Sequence, residues 1–323
     1  MQFFKQYTYL EDDLQQADRM LLNILSTAEE PTKTLSIQLL NAGGKRVRPL
    51  LCFLSSYFGR HDQARPYELA LILELIHMSS LIHDDVIDHA PLRRGITTIH
   101  EAHDNQTAVF AGNYLFAQAL ELLTKISDQR IHIIISNTLK KLSIGELEQL
   151  NNRFKINYSL KNYLSRNRNK TARLIAISCQ LGALTTGATK EIHQMLYWIG
   201  YDLGMSYQII DDILDFTDHN QSFGKLKGQD LLEGHLTLPS LIALKNKKIA
   251  ADIDNYFYQR RQGNRPDVKP IITEINQTDA VGQAYQYSQW YLRRALKKIK
   301  QLPEQKEKQI LFQVVGFLMK RKY

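Results

Sequence analysis

Two carboxylate clusters in this chain share one spacing. Asp84, Asp85 and Asp88 lie in DDVID, and Asp211, Asp212 and Asp215 lie in DDILD. At ordinary aspartate usage, a single DDxxD should arise by chance in only about one chain in fifteen. In a helix, positions i and i+4 share a face, so Asp84 pairs with Asp88 and Asp211 with Asp215. Three like charges within about one turn repel unless a cation lies among them. A solvated acidic face is the blander reading, but an apolar helix runs into the first cluster and Ile209-Ile210 lead directly into the second. Carboxylates without His or Cys at ligand spacing suit a hard, oxygen-seeking ion such as Mg²⁺ rather than zinc. The calcium-loop pattern D-x-[DN]-x-[DN]-G is absent. Mg²⁺ takes one or two carboxylates and completes its octahedron with water and phosphate oxygens. Two such helices facing each other would cage Mg²⁺-diphosphate.

Basic groups cluster where a diphosphate would need them. Gly43-Gly44-Lys45-Arg46-Val47-Arg48-Pro49 sets a flexible pair before three cations and a proline that opens the next helix. Glycine allows close backbone approach, while Lys and Arg supply point-charge and bidentate phosphate contacts. A helix C-cap with solvated cations competes evenly with that reading. Arg93-Arg94-Gly95 reads as a surface loop that gains meaning from the adjacent carboxylates. Lys170-Thr171 lies in an Arg- and Asn-rich turn that reads as the start of an apolar helix, where anions are favoured. Gly224-Lys225-Leu226-Lys227-Gly228-Gln229-Asp230 follows the second cluster and reads as a mobile lid. His77 lies seven residues before Asp84, about two helical turns, and so can share its face.

The elements that must position these groups are helical. From Pro66, Leu69, Ile72, Leu73 and Ile76 recur at helical spacing, as do Ile192, Leu196, Ile199, Leu203, Tyr207 and Ile210. Spans 105–125, 130–150 and 158–187 carry the same period. The β-branched run 131–135 could be a strand in isolation, but its neighbours continue a helical pattern through Leu139, Leu142 and Leu147. Asn-Gly and Asp-Gly turns do not punctuate alternating runs, so sheet architecture finds little support. One all-α domain spanning 1–323 is expected. The composition, 44% hydrophobic and 23% charged with two cysteines, is that of an ordinary globular protein and excludes collagen-like, disulfide-framework and disordered classes. Isolated Cys52 and Cys179 suit a reducing cytoplasm. The N-terminus lacks the apolar region of a signal peptide, and the least polar stretch, 174–188, is too short to span a bilayer. A formal charge of +8 points to anionic partners.

Taken together, the motifs resemble the trans-isoprenyl diphosphate synthases along nearly the whole chain. In family order they are GGKRVRP (43–49), LELIHMSSLIHDDVID (73–88), RRG (93–95), GEL (145–147), KTARL (170–174), YQIIDDILDF (207–216) and GKLKGQDLLEGHLTLP (224–239). The resemblance implies an all-α helical bundle around one deep central cavity, with the two Asp motifs facing at its mouth. It implies Mg²⁺, three ions with bound diphosphate, held by Asp84, Asp88, Asp211 and Asp215 with Asp85 and Asp212 in support. Arg93, Lys170, Thr171, Gln208 and Lys225 would contact the allylic diphosphate. Gly44, Lys45, Arg48, His77 and Arg94 would bind isopentenyl diphosphate. Thr171 and Gln208 would also bias proton loss. Two departures stand out: His235 occupies a position where many members carry Lys, and Leu226-Lys227 replaces a common Pro-Val.

The phrasing of 179–188, 197–216 and the terminal KRKY is similar to long-chain members whose catalytic chain works with a small regulatory subunit, although a homodimer is an alternative. That similarity implies a heptaprenyl product for the menaquinone side chain, with hexaprenyl to octaprenyl lengths as alternatives. The product would enter the membrane, and the protein would be cytoplasmic or peripheral to that membrane. Small Ser79 and Ser80 lie one turn before Asp84, where short-chain relatives place aromatics, and Ile76 forms the first apolar barrier below. A helix from Pro66 to Asp84 spans about 27 Å. On this reading Ser79→Phe shortens the product and Ile76→Gly lengthens it. A terpene cyclase would also use DDxxD but needs no second motif and no GGKRVRP. An inactive regulatory chain should have lost one motif. A nucleic-acid-binding protein should show a continuous basic stripe rather than six aspartates on apolar helices.

Overall fold

The computed structural model describes residues 7–44, 46–60, 66–217 and 228–319. Its secondary structure is almost entirely helical, which bears out the all-α expectation. The helices are α1 (Thr8–Ser26), α2 (Thr32–Asn41), α3 (Val47–Ser56), α4 (Tyr67–Ile87), α5 (Ile99–Ala102), α6 (Asn105–Thr124), α7 (Gln129–Asn151) and α8 (Leu160–Asn167). A π-helical turn, Arg168–Ala172, joins α8 to α9 (Arg173–Thr185). There follow α10 (Lys190–Thr217), α11 (Gln229–Leu232), α12 (Leu238–Ala243), α13 (Lys247–Arg261), α14 (Lys269–Asn276), α15 (Ala280–Ile299) and α16 (Lys306–Met319). The run 131–135 is helical, inside α7.

Backbone proximity divides the chain into two compact units, one of residues 1–135 with 177–197 and the other of 136–176 with 198–323. The division falls inside α7, α9 and α10, so three helices run unbroken from one unit into the other.

In the first unit, α4 is buried on every side from Leu69 to Ile76 and packs along α6. The Ser79 hydroxyl donates to the Gly112 carbonyl at 2.8 Å. A Cβ on Gly112 would come within 2.3 Å of His83 Nε2, so glycine sets how closely the helices approach. Asp104 caps α6 by accepting the Thr107 N–H at 2.7 Å, satisfying a donor that a helix start leaves orphaned.

One element departs from the sequence reading. Arg93-Arg94-Gly95 is the tip of a two-stranded ribbon, β1 (Leu92–Arg93) against β2 (Ile96–Thr97), antiparallel with Leu92 opposite Thr97. Arg94 and Gly95 have φ of 53° and 81°, the doubly positive pair that a primed two-residue hairpin turn requires. Strands of two residues carry no readable alternation, so nothing in the sequence announced them.

The second unit holds a contiguous core that includes Tyr163, Phe216 and Phe257, all fully buried. Each such side chain contributes roughly 1.5–3 kcal/mol of hydrophobic stabilisation. Within it Ser206 of α10 and Ser288 of α15 share a hydrogen bond of 2.8 Å, and Asp202, wholly buried, is met by Lys298 at 2.7 Å and Arg294 at 3.3 Å. Among the described residues no helix is long and apolar enough to cross a membrane.

Candidate active site

The first unit brings together Gly44, Arg48, His77, the first Asp motif, Arg93 and Arg94. Asp84 and Asp88 lie at the C-terminal end of α4, both half-buried, and the Asp88 N–H donates to the Asp84 carbonyl at 2.8 Å. Asp85, about 100° round the helix, is buried and accepts from Arg93 Nε at 2.7 Å and also from Nη2. The same guanidinium senses Asp84 and Asp88, and together the three carboxylates hold its proton more firmly against the cost of burial. Burial raises the Asp85 pKa and Arg93 opposes it.

His77 is half-buried on α4. Burial first, then Arg48, Arg94, Arg93 and Arg46, hold its imidazole well below the ordinary range. It is therefore neutral at working pH, with one N–H to give. Four guanidiniums near one neutral imidazole make a strongly anion-attracting corner. Arg94 reaches the Gly43 carbonyl, and a Cβ on Gly44 would lie 2.8 Å from Arg94 Nη1 and 2.9 Å from Arg46 Nη1. Glycine is what lets these cations close over the loop.

Arg46, given no task of its own by the sequence, anchors that loop. It is 9% exposed and adopts the left-handed region at φ 42°. Its Nε donates to Asp18 at 2.8 Å, its Nη2 to the Leu40 carbonyl at 2.8 Å, and its Nη1 lies 3.6 Å from the buried Glu74. Lys45 lies outside the described residues.

The second unit brings together Lys170, Thr171, Gln208 and the second Asp motif. Here a correction is needed: Lys170 and Thr171 do not begin a helix. They sit in the π-turn of a continuous helical run from Leu160 to Thr185, so a helix-terminal dipole does not act on an anion there. The π-turn instead widens the backbone between two close neighbours. A Cβ on Gly145 of α7 would lie 3.0 Å from Asn169 Cβ, and one on Gly204 of α10 would lie 2.6 Å from Ala172 Cα. Lys170 Nζ donates to Glu146 at 2.9 Å, which gives the GEL segment a role. Thr171 Oγ1 donates to Gln208 Oε1 at 2.6 Å, and Gln208 Nε2 donates to Asp212 at 2.9 Å. The buried Tyr163 hydroxyl donates to the other Asp212 oxygen at 2.6 Å.

Asp211 is half-buried at the same helix position as Asp84 in its motif. Burial, then Asp230, raises the Asp212 pKa to about 7, opposed by Arg166, Tyr163 and Gln208. Burial and Asp230 likewise push Asp215 well above the carboxylate range. Asp215 accepts the N–H groups of Gln229 at 3.0 Å and Asp230 at 3.1 Å, and its carbonyl takes the Gly228 N–H at 2.8 Å. Asp230, read from the sequence only as lid, thus adds a further carboxylate beside the motif. Crowded carboxylates whose pKa is raised by burial first and by mutual repulsion second are a donor set that a hard divalent cation would stabilise, so these residues fit Mg²⁺.

His235 is buried with Gln149 Nε2 at 3.5 Å. Burial, then Arg166, Arg153 and Lys170, push its pKa down to about 3, so it is a neutral group where the family pattern has a cation. Lys225 and the lid up to residue 227 lie outside the described residues.

Residues 29–275 match the polyprenyl synthetase family model. The chain belongs to the polyprenyl synthetase family. This family of trans-prenyltransferases includes heptaprenyl diphosphate synthase component 2 of Bacillus subtilis, 42% identical over all of this chain and 92% of that protein. The crystal structure of a heptaprenyl diphosphate synthase from Staphylococcus aureus is similar with a TM-score of 0.92 at 38% identity, covering 97% of this chain and 99% of that one. A polyprenyl synthase from Caulobacter crescentus, solved with calcium and isoprenyl diphosphate, has a TM-score of 0.90 at 28% identity, covering 98% and 97%. The family's all-α architecture is thus the architecture of this chain.

Proposed function

We propose that this chain is a Mg²⁺-dependent trans-polyprenyl diphosphate synthase that extends an allylic diphosphate, farnesyl diphosphate as primer, with isopentenyl diphosphate to heptaprenyl diphosphate. The observation that carries the reading is the first unit's arrangement: half-buried Asp84 and Asp88 beside a corner of guanidiniums around neutral His77. Carboxylates for a cation next to arginines for an anion are what a metal-bound diphosphate and a second free diphosphate require.

Asp84, Asp88 and Asp211 would hold Mg²⁺, and Asp215 would join them with the lone pairs its two backbone contacts leave. Bound there, Mg²⁺ supplies charge neutralisation to a departing diphosphate. Arg93 and Lys170, with Lys225, orient that diphosphate. Gly44, Lys45, Arg48, His77 and Arg94 hold isopentenyl diphosphate. The allylic C–O bond breaks and its electron pair leaves with diphosphate. The isopentenyl double bond then forms the new C–C bond, and the adjacent carbon releases a proton to diphosphate. Thr171 and Gln208, linked oxygen to oxygen through one hydroxyl, bias that loss. The braced Asp85 and Asp212 keep each motif's helix in register.

The reading treats 1–323 as one catalytic domain, supported by three helices that run unbroken across the unit division. It includes a small regulatory partner, supported by the component naming of the B. subtilis relative. It also places the protein in the aqueous phase beside a membrane that takes up the product.

Product length rests on α4, which presents Ser79 and Ser80 rather than aromatics one turn before Asp84, with Ile76 buried below. Ser79 is packed on α6, 3% exposed with its hydroxyl on Gly112, so Ser79→Phe would strain that packing. The half-buried Ser80 is the cleaner test: Ser80→Phe should shorten the product, and Ile76→Gly should lengthen it. Incubation with labelled isopentenyl diphosphate, farnesyl diphosphate and Mg²⁺, with and without the small subunit, tests the whole reading by chromatography of dephosphorylated products. Failure to incorporate label under either condition would overturn it.

A further inference from the structure

The chain has two tryptophans, and both lie half in water on the second unit, Trp198 of α10 at 46% and Trp290 of α15 at 50% exposure. A chain of edge-on rings links them: Trp198 to Tyr201 at 5.4 Å, Tyr201 to Tyr291 at 6.3 Å, and Tyr291 to Trp290 at 4.9 Å. The Arg294 guanidinium stands 4.5 Å above the Trp290 ring and fixes it from one side. Along α15 the exposed stripe runs Tyr287, Trp290, Arg293 and Lys297, and Lys300 follows just past the helix end.

Two features say what this stripe meets. First, α15 has no acidic residue in its twenty positions, and the nearby Asp202 is wholly buried under Arg294 and Lys298. Along α15 the surface therefore presents cations and no carboxylate, and the exposed Glu304 beyond Lys300 is paired with Lys308, which leaves the stripe complementary to an anionic partner. Second, half-exposed Trp and Tyr beside Lys and Arg is the side-chain mixture that settles at a membrane–water boundary, with rings at headgroup depth and cations on lipid phosphates.

We propose that this face, centred on Trp198 and Trp290 and flanked by Arg293, Lys297 and Lys300, docks the protein on an anionic lipid bilayer. The proposal locates the membrane contact implied by the prenyl synthase reading, on which it rests for its purpose: a long-chain product must pass into a bilayer.

Because both tryptophans sit on the face, their fluorescence reports on it directly. The full chain should sediment with vesicles of phosphatidylcholine containing phosphatidylglycerol, and its emission should shift to the blue. It should do neither with phosphatidylcholine alone. The double variant Arg293→Gln/Lys297→Gln should bind the anionic vesicles about thirtyfold more weakly, as the loss of two surface cations implies. Trp198→Ser/Trp290→Ser should also release the protein. Both variants should keep wild-type prenyl transfer in detergent solution, since none of these residues belongs to the active site. Equal binding to neutral vesicles, unchanged emission with anionic ones, or full-strength binding by either variant would overturn the proposal. So would a blue shift given only by the soluble small subunit. Absence of prenyl transfer by the wild-type chain both with and without the small subunit would instead overturn the synthase reading, while the vesicle result would stand by itself.

Discussion

The two DDxxD motifs are alike in sequence and unlike in surroundings. In both, the second aspartate points inward and is braced, while the first is half-exposed. Asp85 is braced by a charge, the guanidinium of Arg93. Asp212 is braced by neutral donors, Tyr163 and Gln208. Beside the first motif stands Arg93, and about two turns down α4 it joins Arg48, Arg94 and Arg46 around His77. Around the second, Asp230 adds negative charge that the buried Arg166 only partly offsets. The first region is thus prepared for an anion, and the second is in deficit for a cation. Identical spacing fixes where carboxylates point, and the neighbours decide what each cluster lacks.

The strongest way to break this comparison is to remove the half-buried first aspartate of each motif. Asp84→Ala and Asp211→Ala should each lower kcat by about a thousandfold, the scale of losing charge stabilisation at a developing anion. Circular dichroism and melting temperature should stay near wild type, since each change relieves repulsion. Near-normal turnover in either variant would remove its motif from the site.

Next in size is the contrast between braces. Arg93→Met strands a buried carboxylate and should cost about 3 kcal/mol of stability. Tyr163→Phe removes one of the two side-chain hydrogen bonds to Asp212, leaves that of Gln208, and should cost about 1–2 kcal/mol. Urea denaturation of both variants measures the difference, and a larger loss in Tyr163→Phe would invert the comparison.

A smaller effect separates the regions by pH. A carboxyl whose folded pKa is raised, as in Asp212 from 3.8 to about 7, binds its proton more tightly folded than unfolded. Stability from this group is therefore full at low pH and falls as pH rises from about 4 to about 7. Mg²⁺ should offset that loss, so its thermal shift should be larger at pH 8 than at pH 5.5. The shift should persist in part in Asp84→Ala and shrink most in Asp211→Ala, which differential scanning fluorimetry would show.

The smallest effect concerns His235. Held neutral with a pKa of about 3, it should be replaceable: His235→Asn should keep kcat within about twofold and leave the rate profile flat where wild type is flat between pH 6 and 9. His235→Lys would add a charge beside Arg166, Arg153 and Lys170 and should cost about 1 kcal/mol. A rate profile displaced by His235→Asn would show that the imidazole titrates in the working range.

The long helices were legible because an apolar period sustained over many residues is hard to imitate by chance. The span 105–125 appears as Asn105–Thr124, and the pattern through Ile192 and Ile210 as Lys190–Thr217. The candidate residues of the proposed site could be picked out too: DDxxD points to a hard cation by its spacing, while GGKRVRP takes a phosphate reading only beside those carboxylates and from the resemblance. What the sequence withheld were partners set by the fold. Tyr163 lies 49 residues from Asp212, and no spacing rule connects them. The offset of about 100° between the first and second aspartates could have flagged the inward one. Arg46 was hidden among equals, because a loop of cations does not reveal which of them faces inward. The start of a helix expected at Lys170 was a misread π-turn, whose extra residue breaks the apolar phase much as a joint would.

That π-turn amounts to a one-residue insertion made permanent. An α-helix turns about 100° per residue, so the segment after Ala172 sits in a phase that an uninterrupted helix from Leu160 would not reach. Deleting Asn169 would let the backbone revert to plain α-helix, and everything beyond would rotate by that angle. Gly182 makes the cost concrete, since a Cβ there would lie 2.1 Å from the Cys52 carbonyl, and rotation would turn a neighbouring side chain onto that oxygen. A codon lost here should be far less tolerable than one lost at the surface turn near Gly263, where a Cβ meets nothing within 4 Å. The length of the gene between codons 160 and 185 is in this sense part of the active site's alignment, counted in single residues.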